Sequence, residues 1–393
     1  MDLSATHSGK NIATLRQFAG YFLKLGYSGF GGPVALVTYI YRDLVERRKW
    51  ITEEEYNEGM ALAQLSPGPL AAQLGIYLGY IHYGIRGASL TILAFIAPSF
   101  FMVLLLGIAY KAFGGLPWMQ AIFYGISSAV VGIILASAIK LTFKSIGKFT
   151  IESFRMKWLL WIIFLISLVF TFYYPAKGPI LYLCAGLVYM AIKSPPKWMQ
   201  NMKANLFILG SIGFWQFETG TLWKIAYFFS NAGAFVFGSG LAIVPFLHAG
   251  VVIQHQWLNE QQFLDAVAIA MITPGPLIMT VGFIGYLVAG FPGAVVAAVA
   301  TFLPCYLITI ITAPFFRKLA TNPSIKIFVE GITASILGSL FAAAILISLR
   351  SVGDIQSGVI AVSSFLLLYN FKKIKEPYII LGAALIGLLL KMY

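Results

Sequence analysis

Two short stretches carry the residue types that could hold a small anion: Leu65-Ser66-Pro67-Gly68-Pro69-Leu70 and its near copy Ile272-Thr273-Pro274-Gly275-Pro276-Leu277. Each sets a hydroxyl, two prolines and a glycine within strongly apolar sequence. Proline removes a backbone donor and pushes the residue before it out of the helical region, so neither stretch carries a helix through unbroken. A half-helix starting at Gly68 or Gly275 is expected to present free N–H groups and the positive end of its dipole, which suits an anion. Ser66 and Thr273 would add hydroxyls. Gln64 and Gln73 flank the first break and could hydrogen-bond an oxyanion, whereas their counterparts Met271 and Thr280 differ. Glycines in Ser28-Gly29-Phe30-Gly31-Gly32-Pro33 and Phe237-Gly238-Ser239-Gly240 would allow close backbone approach. The candidate binding set is therefore Gly31, Gly32, Ser66, Pro67, Gly68, Pro69 and Gln73 with Gly238, Ser239, Gly240, Thr273, Pro274, Gly275 and Pro276. One such break alone reads as a kink; two at matching places are a pointer to a transport site.

Glu58 and Asp265 are matched acids about nine residues before the breaks, roughly 13 Å along a helix. They are candidates for carrying protons coupled to transport. The competing reading, a first-turn acid complementing the helix dipole, fits Glu53, Glu54 and Glu55 better. His82 and His248 each stand alone and read as packing residues, and Arg86 as a mark of the cytoplasmic rim. No metalloprotease, phosphate-loop, dinucleotide or nucleophile-elbow motif occurs, so no catalytic residue, cofactor or metal is expected. Cys184 and Cys305 lie in apolar spans and read as buried small apolar residues. An intramembrane enzyme acting on a lipid-linked phosphate would need a carboxylate pair or metal cluster facing one leaflet. A channel, or a carrier for a different small anion, would share the same breaks.

The elements that must position these residues belong to a membrane protein. Of 393 residues 59% are hydrophobic and 10% charged, with mean hydropathy +0.85, whereas a soluble domain carries roughly 25% charged residues. The net charge of +13 follows from basic residues collecting in cytoplasmic loops rather than from nucleic-acid binding. Residues 1–11 are polar, with no cleavable signal expected. An amphipathic helix is expected over 12–27 and a second to about Tyr41, followed by a basic loop, Arg42 to Lys49. Helical pieces follow on either side of Ser66-Pro67-Gly68-Pro69, from Thr52 to about His82. Later spans read 88–110, 118–140, 158–174, 179–192 and 205–217. The second half reads 221–236, 241–254, 259–272, 275–289, 292–315, 325–349, 357–370 and 377–391.

The halves repeat. Phe30 pairs with Phe237, Trp50 with Trp257 and Pro67-Gly68-Pro69 with Pro274-Gly275-Pro276 at an offset of 207; beyond a one-residue gap, Gly79-Tyr80, Pro98, Gly125 and Gly132 recur at 206. Loop 42–49 holds four basic residues and its counterpart 249–256 none, while 315–326 is basic and 109–118 carries only Lys111. Each basic loop thus faces a neutral partner across the membrane, the signature of an inverted repeat. Parity makes 12–48 and 52–82 leave and return to the cytoplasm, as re-entrant hairpins or as tilted pairs of spans; short pieces with proline-glycine tips favour hairpins. The expected fold is all-α and polytopic: two inverted-topology repeats, each with two broken or re-entrant hairpins and about four transmembrane helices. The division is 1–192, a linker with a connecting helix at 193–220, and 221–393.

Phe30-Gly31-Gly32-Pro33, Arg48-Lys49-Trp50-Ile51 and Gln64-Leu65-Ser66-Pro67-Gly68-Pro69, with Phe237-Gly238-Ser239-Gly240, Trp257-Leu258 and Thr273-Pro274-Gly275-Pro276, resemble the chromate ion transporter family. The resemblance implies a two-domain, multi-pass carrier in the plasma membrane with a cytoplasmic N-terminus. It further implies export of chromate driven by the proton motive force, with sulfate as a related oxyanion. The expected partners are that small oxyanion and the lipid bilayer, and the chain would act as a monomer or homodimer. The second copy departs at Ser239, where the first has Gly32, and lacks a match to Pro33.

Overall fold

Helices follow the punctuation of the sequence closely. The computed structural model describes residues 13–30, 32–195, 220–236, 240–315, 322–371 and 374–392, and all their regular structure is helical. In the first half these are α1 (Leu15–Ser28), α2 (Gly32–Ile40), α3 (Glu53–Leu65), α4 (Leu70–Phe113), α5 (Pro117–Ser145), α6 (Ile151–Met156), α7 (Trp158–Tyr173) and α8 (Gly178–Lys193). The second half gives α9 (Thr221–Ala234), α10 (Val244–Leu247), α11 (Glu260–Ile272), α12 (Thr280–Thr312), α13 (Pro323–Ser351), α14 (Ile355–Asn370) and α15 (Glu376–Met392). Among the described residues four stretches are long and apolar enough to cross a membrane: Leu70–Phe113, Pro117–Ser145, Leu277–Phe315 and Pro323–Ser351. The expected span at 205–217 and most of the 193–220 linker lie outside the described residues.

The registers at 207 and 206 are visible in the backbone. Thr52 and Asn259 each start a helix with a capping box, their side chains accepting from Glu55 and Gln262 backbone N–H, which satisfies donors the helix leaves free. Lys49 and Gln256 share an unusual positive φ, 53° and 51°. Gly84 and Gly290 both turn at φ 63°, ψ −154°, a conformation glycine adopts without a Cβ penalty. At these glycines the chain folds back on itself: a Cβ on Gly79 would stand 2.7 Å from Gly87 O, and one on Gly285 would overlap Gly293 O. α4 and α12 thus each comprise two helices meeting at the glycine, as the expected breaks after about His82 and after 289 require.

One expected loop is a helix. Tyr41–Arg47 continues α2 as a widened, π-type turn, and His248–Gln254 does the same in the second half. The basic character of 42–49 suggested a loop, but Leu44 within it is fully buried and Asp43 pairs with Arg42 and Arg47. Burial of that leucine, worth about 2 kcal/mol, and local charge pairing favour the helical turn. Cys184 is also corrected: it is exposed on α8, whereas Cys305 is buried.

The two halves exchange helices. α7 and α8 pack on α13, while α14 and α15 pack on α5. Small residues let backbones approach: a Cβ on Gly132 would overlap the Ala361 carbonyl, and one on its counterpart Gly338 would overlap that of Phe164. Hydroxyl pairs add polar contacts at the α7–α13 seam, Ser167 with Ser335 and Thr171 with Ser339, both at 2.7 Å. At a helix end, hydrogen bonds from Tyr124 and Ser357 hold the Asp354 carboxyl well below the usual carboxylate range. Substituting valine at Gly132 or at Gly338 is expected to destabilise the fold by roughly 1–3 kcal/mol each through overpacking. Lower unfolding temperatures for both purified variants would show it, and two unchanged temperatures would contradict the exchanged packing.

Candidate functional site

Both proline-glycine stretches break their helices as the sequence requires. α3 ends at Leu65 and α4 starts at Leu70; α11 ends at Ile272, and a single 3-10 turn at Leu277–Met279 precedes α12. Gly68 and Gly275 sit at φ +138° and +99°, in the region that favours glycine. Their N–H groups are not free, contrary to the expectation from sequence. Gly68 N–H donates to Val236 O at 2.5 Å and Gly275 N–H to Gly29 O at 2.9 Å. Val236 and Gly29 are themselves 207 apart, so each break is bonded to the equivalent backbone position in the other half. A donor surrounded by apolar sequence costs too much to leave unpaired, and the glycine conformation turns it toward the neighbouring half.

The carbonyls of the breaks are capped unequally. Ser99 on α4 donates to Pro274 O at 2.9 Å and contacts Gly26 O at 3.2 Å. Its counterpart is Cys305, whose thiol is a weak donor. At the first break Gln73 substitutes, its Nε2 donating to Pro67 O at 2.6 Å. Gln73 is fully buried, and its Oε1 has no hydrogen-bond partner among the described residues. Thr280, in the matching place, spends its hydroxyl on Leu277 O. Ser66 is buried, whereas the Thr273 hydroxyl bonds Ile269 O within its own helix. Gln64 is exposed and takes no part.

Residues from all four interruptions line one small cavity: Gly32, Pro33 and Leu36; Pro69, Leu70 and Ala71; Gly240; and Gly275, Pro276, Leu277 and Ile278. Its volume of about 20 Å³ admits roughly one water, so the cavity is closed to an oxyanion in this conformation. No lining residue is charged. What faces it is the start of α2 and of α4, where first-turn N–H groups have no partner within the helix. Of the expected set, Gly32, Pro69, Gly240, Gly275 and Pro276 line the cavity. Ser66, Pro67, Gly68, Thr273 and Pro274 form the adjoining turns, Gln73 stands in the first turns of α4 with its amide against Gly68, and Gly31, Gly238 and Ser239 lie outside the described residues.

The acids differ between halves. Asp265 is 1% exposed and accepts from Tyr110 at 2.7 Å, Ser127 at 2.8 Å and Gln261 at 3.1 Å. Glu58 is half-buried and accepts from Tyr77 at 3.0 Å. Neither histidine is isolated. His248 Nε2 lies 2.7 Å from Glu260, which also accepts from Arg350 at 2.7 Å; His82 lies 3.7 Å from Glu55. Arg86 is exposed, away from the cavity.

The sequence matches the Chromate transporter family over residues 16–191 and 223–388. The chain belongs to that family. A chromate transport protein of Cupriavidus metallidurans is 54% identical over 380 residues, covering 95% of this chain and 93% of the relative. A probable chromate transport protein of Synechococcus elongatus is 51% identical, covering 96% and 95%, and a chromate transport protein of Pseudomonas aeruginosa is 27% identical, covering 94% and 91%. No solved structure matches. With its apolar helices, membership makes this transporter an integral membrane protein.

Gly275→Ala is expected to destabilise the transporter by more than about 1 kcal/mol, from positive φ and from overlap of the new Cβ with Ser99 Oγ. Adding Ser99→Ala removes the overlapping atom, so the double variant should lose less than the sum of the single losses. Additive losses in thermal unfolding would show that Ser99 does not press on this turn.

Proposed function

We propose that the chain is a secondary active transporter that exports chromate from the cytoplasm across the plasma membrane, driven by the proton motive force, with sulfate as a related substrate. The observation that carries this reading is the neutral cavity between the helix interruptions of both halves. Backbone donors at helix starts favour an anion without a fixed cation that would hold it too tightly. The names of the relatives supply chromate. In the same reading the repeats, 1–192 and 221–393, cross the membrane in opposite senses, with re-entrant hairpins meeting at the cavity. The reciprocal bonds of Gly68 and Gly275, together with the alternating loop charges, support that arrangement.

Asp265 and Glu58 are the proton-coupling groups in this mechanism. Asp265, ringed by three donors, is held as an acceptor in an apolar setting, where proton exchange changes the local charge most sharply. Both acids stand on helices that end at the breaks, so a charge change can bias the tips between open and closed.

Reconstitution in liposomes tests the proposal. Chromate flux should rise with an imposed pH gradient, and sulfate should compete with it only in large excess. Ala71→Leu, which fills the cavity, should lower flux by roughly fivefold to a hundredfold, as an overpacking cost of about 1–3 kcal/mol on the loaded state implies. Asp265→Asn should leave flux unresponsive to the gradient. Full flux in a folded Ala71→Leu variant would reject the cavity as the pathway, and retained gradient dependence in Asp265→Asn would reject its coupling role.

A further inference from the structure

The buried amide of Gln73 has a consequence for the form of the anion. Its donor end is committed to Pro67 O at 2.6 Å, which fixes which end of the amide is oxygen. That oxygen, Oε1, is buried without a partner among the described residues. Leaving a buried acceptor unpaired is costly, so a donor brought to it is favoured. The amide lies against Gly68, where an added Cβ would stand 2.9 Å from Nε2. The next residues of the same turn, Pro69, Leu70 and Ala71, line the cavity.

A fully deprotonated tetrahedral oxyanion offers only acceptors and would set lone pairs against Oε1. A singly protonated one brings an O–H to that acceptor and leaves its other oxygens for the free N–H groups at the start of α4. A second observation agrees: no residue lining the cavity carries a positive charge. The cost of burying an ion without a partner grows with the square of its charge, so a dianion costs about four times what a monoanion does.

We propose, resting on the oxyanion site described above, that the transporter binds the hydrogen-oxyanion monoanion, with Gln73 Oε1 accepting its proton-bearing oxygen. Binding then selects among oxyanions by basicity. Chromate takes up a proton near neutral pH, whereas sulfate and selenate do so only in strong acid, so tetrahedral anions of like size are told apart by the hydrogen they carry. The second half has no amide in the matching place: Thr280 donates its hydroxyl to Leu277 O and Ser99 caps the Pro274 carbonyl, so the recognition falls at the first break.

Equilibrium binding of chromate and of selenate to the purified full chain, in parallel across about pH 6 to 9, tests this. Chromate affinity should fall by about tenfold per pH unit once the protonated form is scarce, while selenate stays weak and nearly flat. Titration of the protein itself would move both anions together, so the ratio of the two affinities isolates the proton on the ligand. Gln73→Met should draw that ratio toward one. A ratio constant with pH, with binding of both anions abolished by Ala71→Leu, would overturn the proton-bearing form while the cavity reading stands. Absence of saturable chromate binding, or binding indifferent to Ala71→Leu, would remove the cavity reading and this inference with it.

Discussion

Two backbone hydrogen bonds hold the centre of this molecule: Gly68 N–H to Val236 O and Gly275 N–H to Gly29 O. Each joins the break of one half to the turn after the first helix of the other. Only glycine supplies the positive φ that turns those donors outward, and only an apolar setting makes leaving them unpaired prohibitive. Once the two bonds form, the four interruptions are gathered around one point. The cavity, the first-turn donors and the capping roles of Ser99 and Gln73 are arranged about them.

The outer helices reinforce this centre by exchange. α7 and α8 lie on α13, and α14 and α15 lie on α5, with Gly132 and Gly338 in equivalent contacts. Neither half buries its own long helix alone. In a bilayer, where apolar burial drives little association, close backbone packing and the Ser167–Ser335 and Thr171–Ser339 pairs carry that seam.

Much of this was legible in the chain. Proline and glycine chemistry located both breaks, the 207 offset paired the elements, and the acidic first turn after Thr52 marked a helix start. The missing parts depend on contacts between distant residues. The breaks read as free donors because nothing local reveals that Val236 and Gly29 accept from them. Gln73 read as an anion ligand, but nothing local shows that its amide nitrogen also caps Pro67 O, as Ser99 caps Pro274 O in the other half, a role left open where Cys305 stands. His248 looked solitary because Arg350, which completes its link through Glu260, lies 90 residues beyond that acid. The turn at Tyr41–Arg47 was hidden by its charges, which outweighed the single buried Leu44.

Chromium's anomalous scattering can test directly whether one anion is held among the four interruptions. A crystal structure of the transporter with chromate, with an anomalous difference map at the chromium edge, should place a single peak bounded by Leu70, Ala71, Gly240 and Leu277, within a cavity enlarged from the closed one. A peak elsewhere, such as beside exposed basic residues at the helix ends, with the space between the breaks still closed, would contradict it.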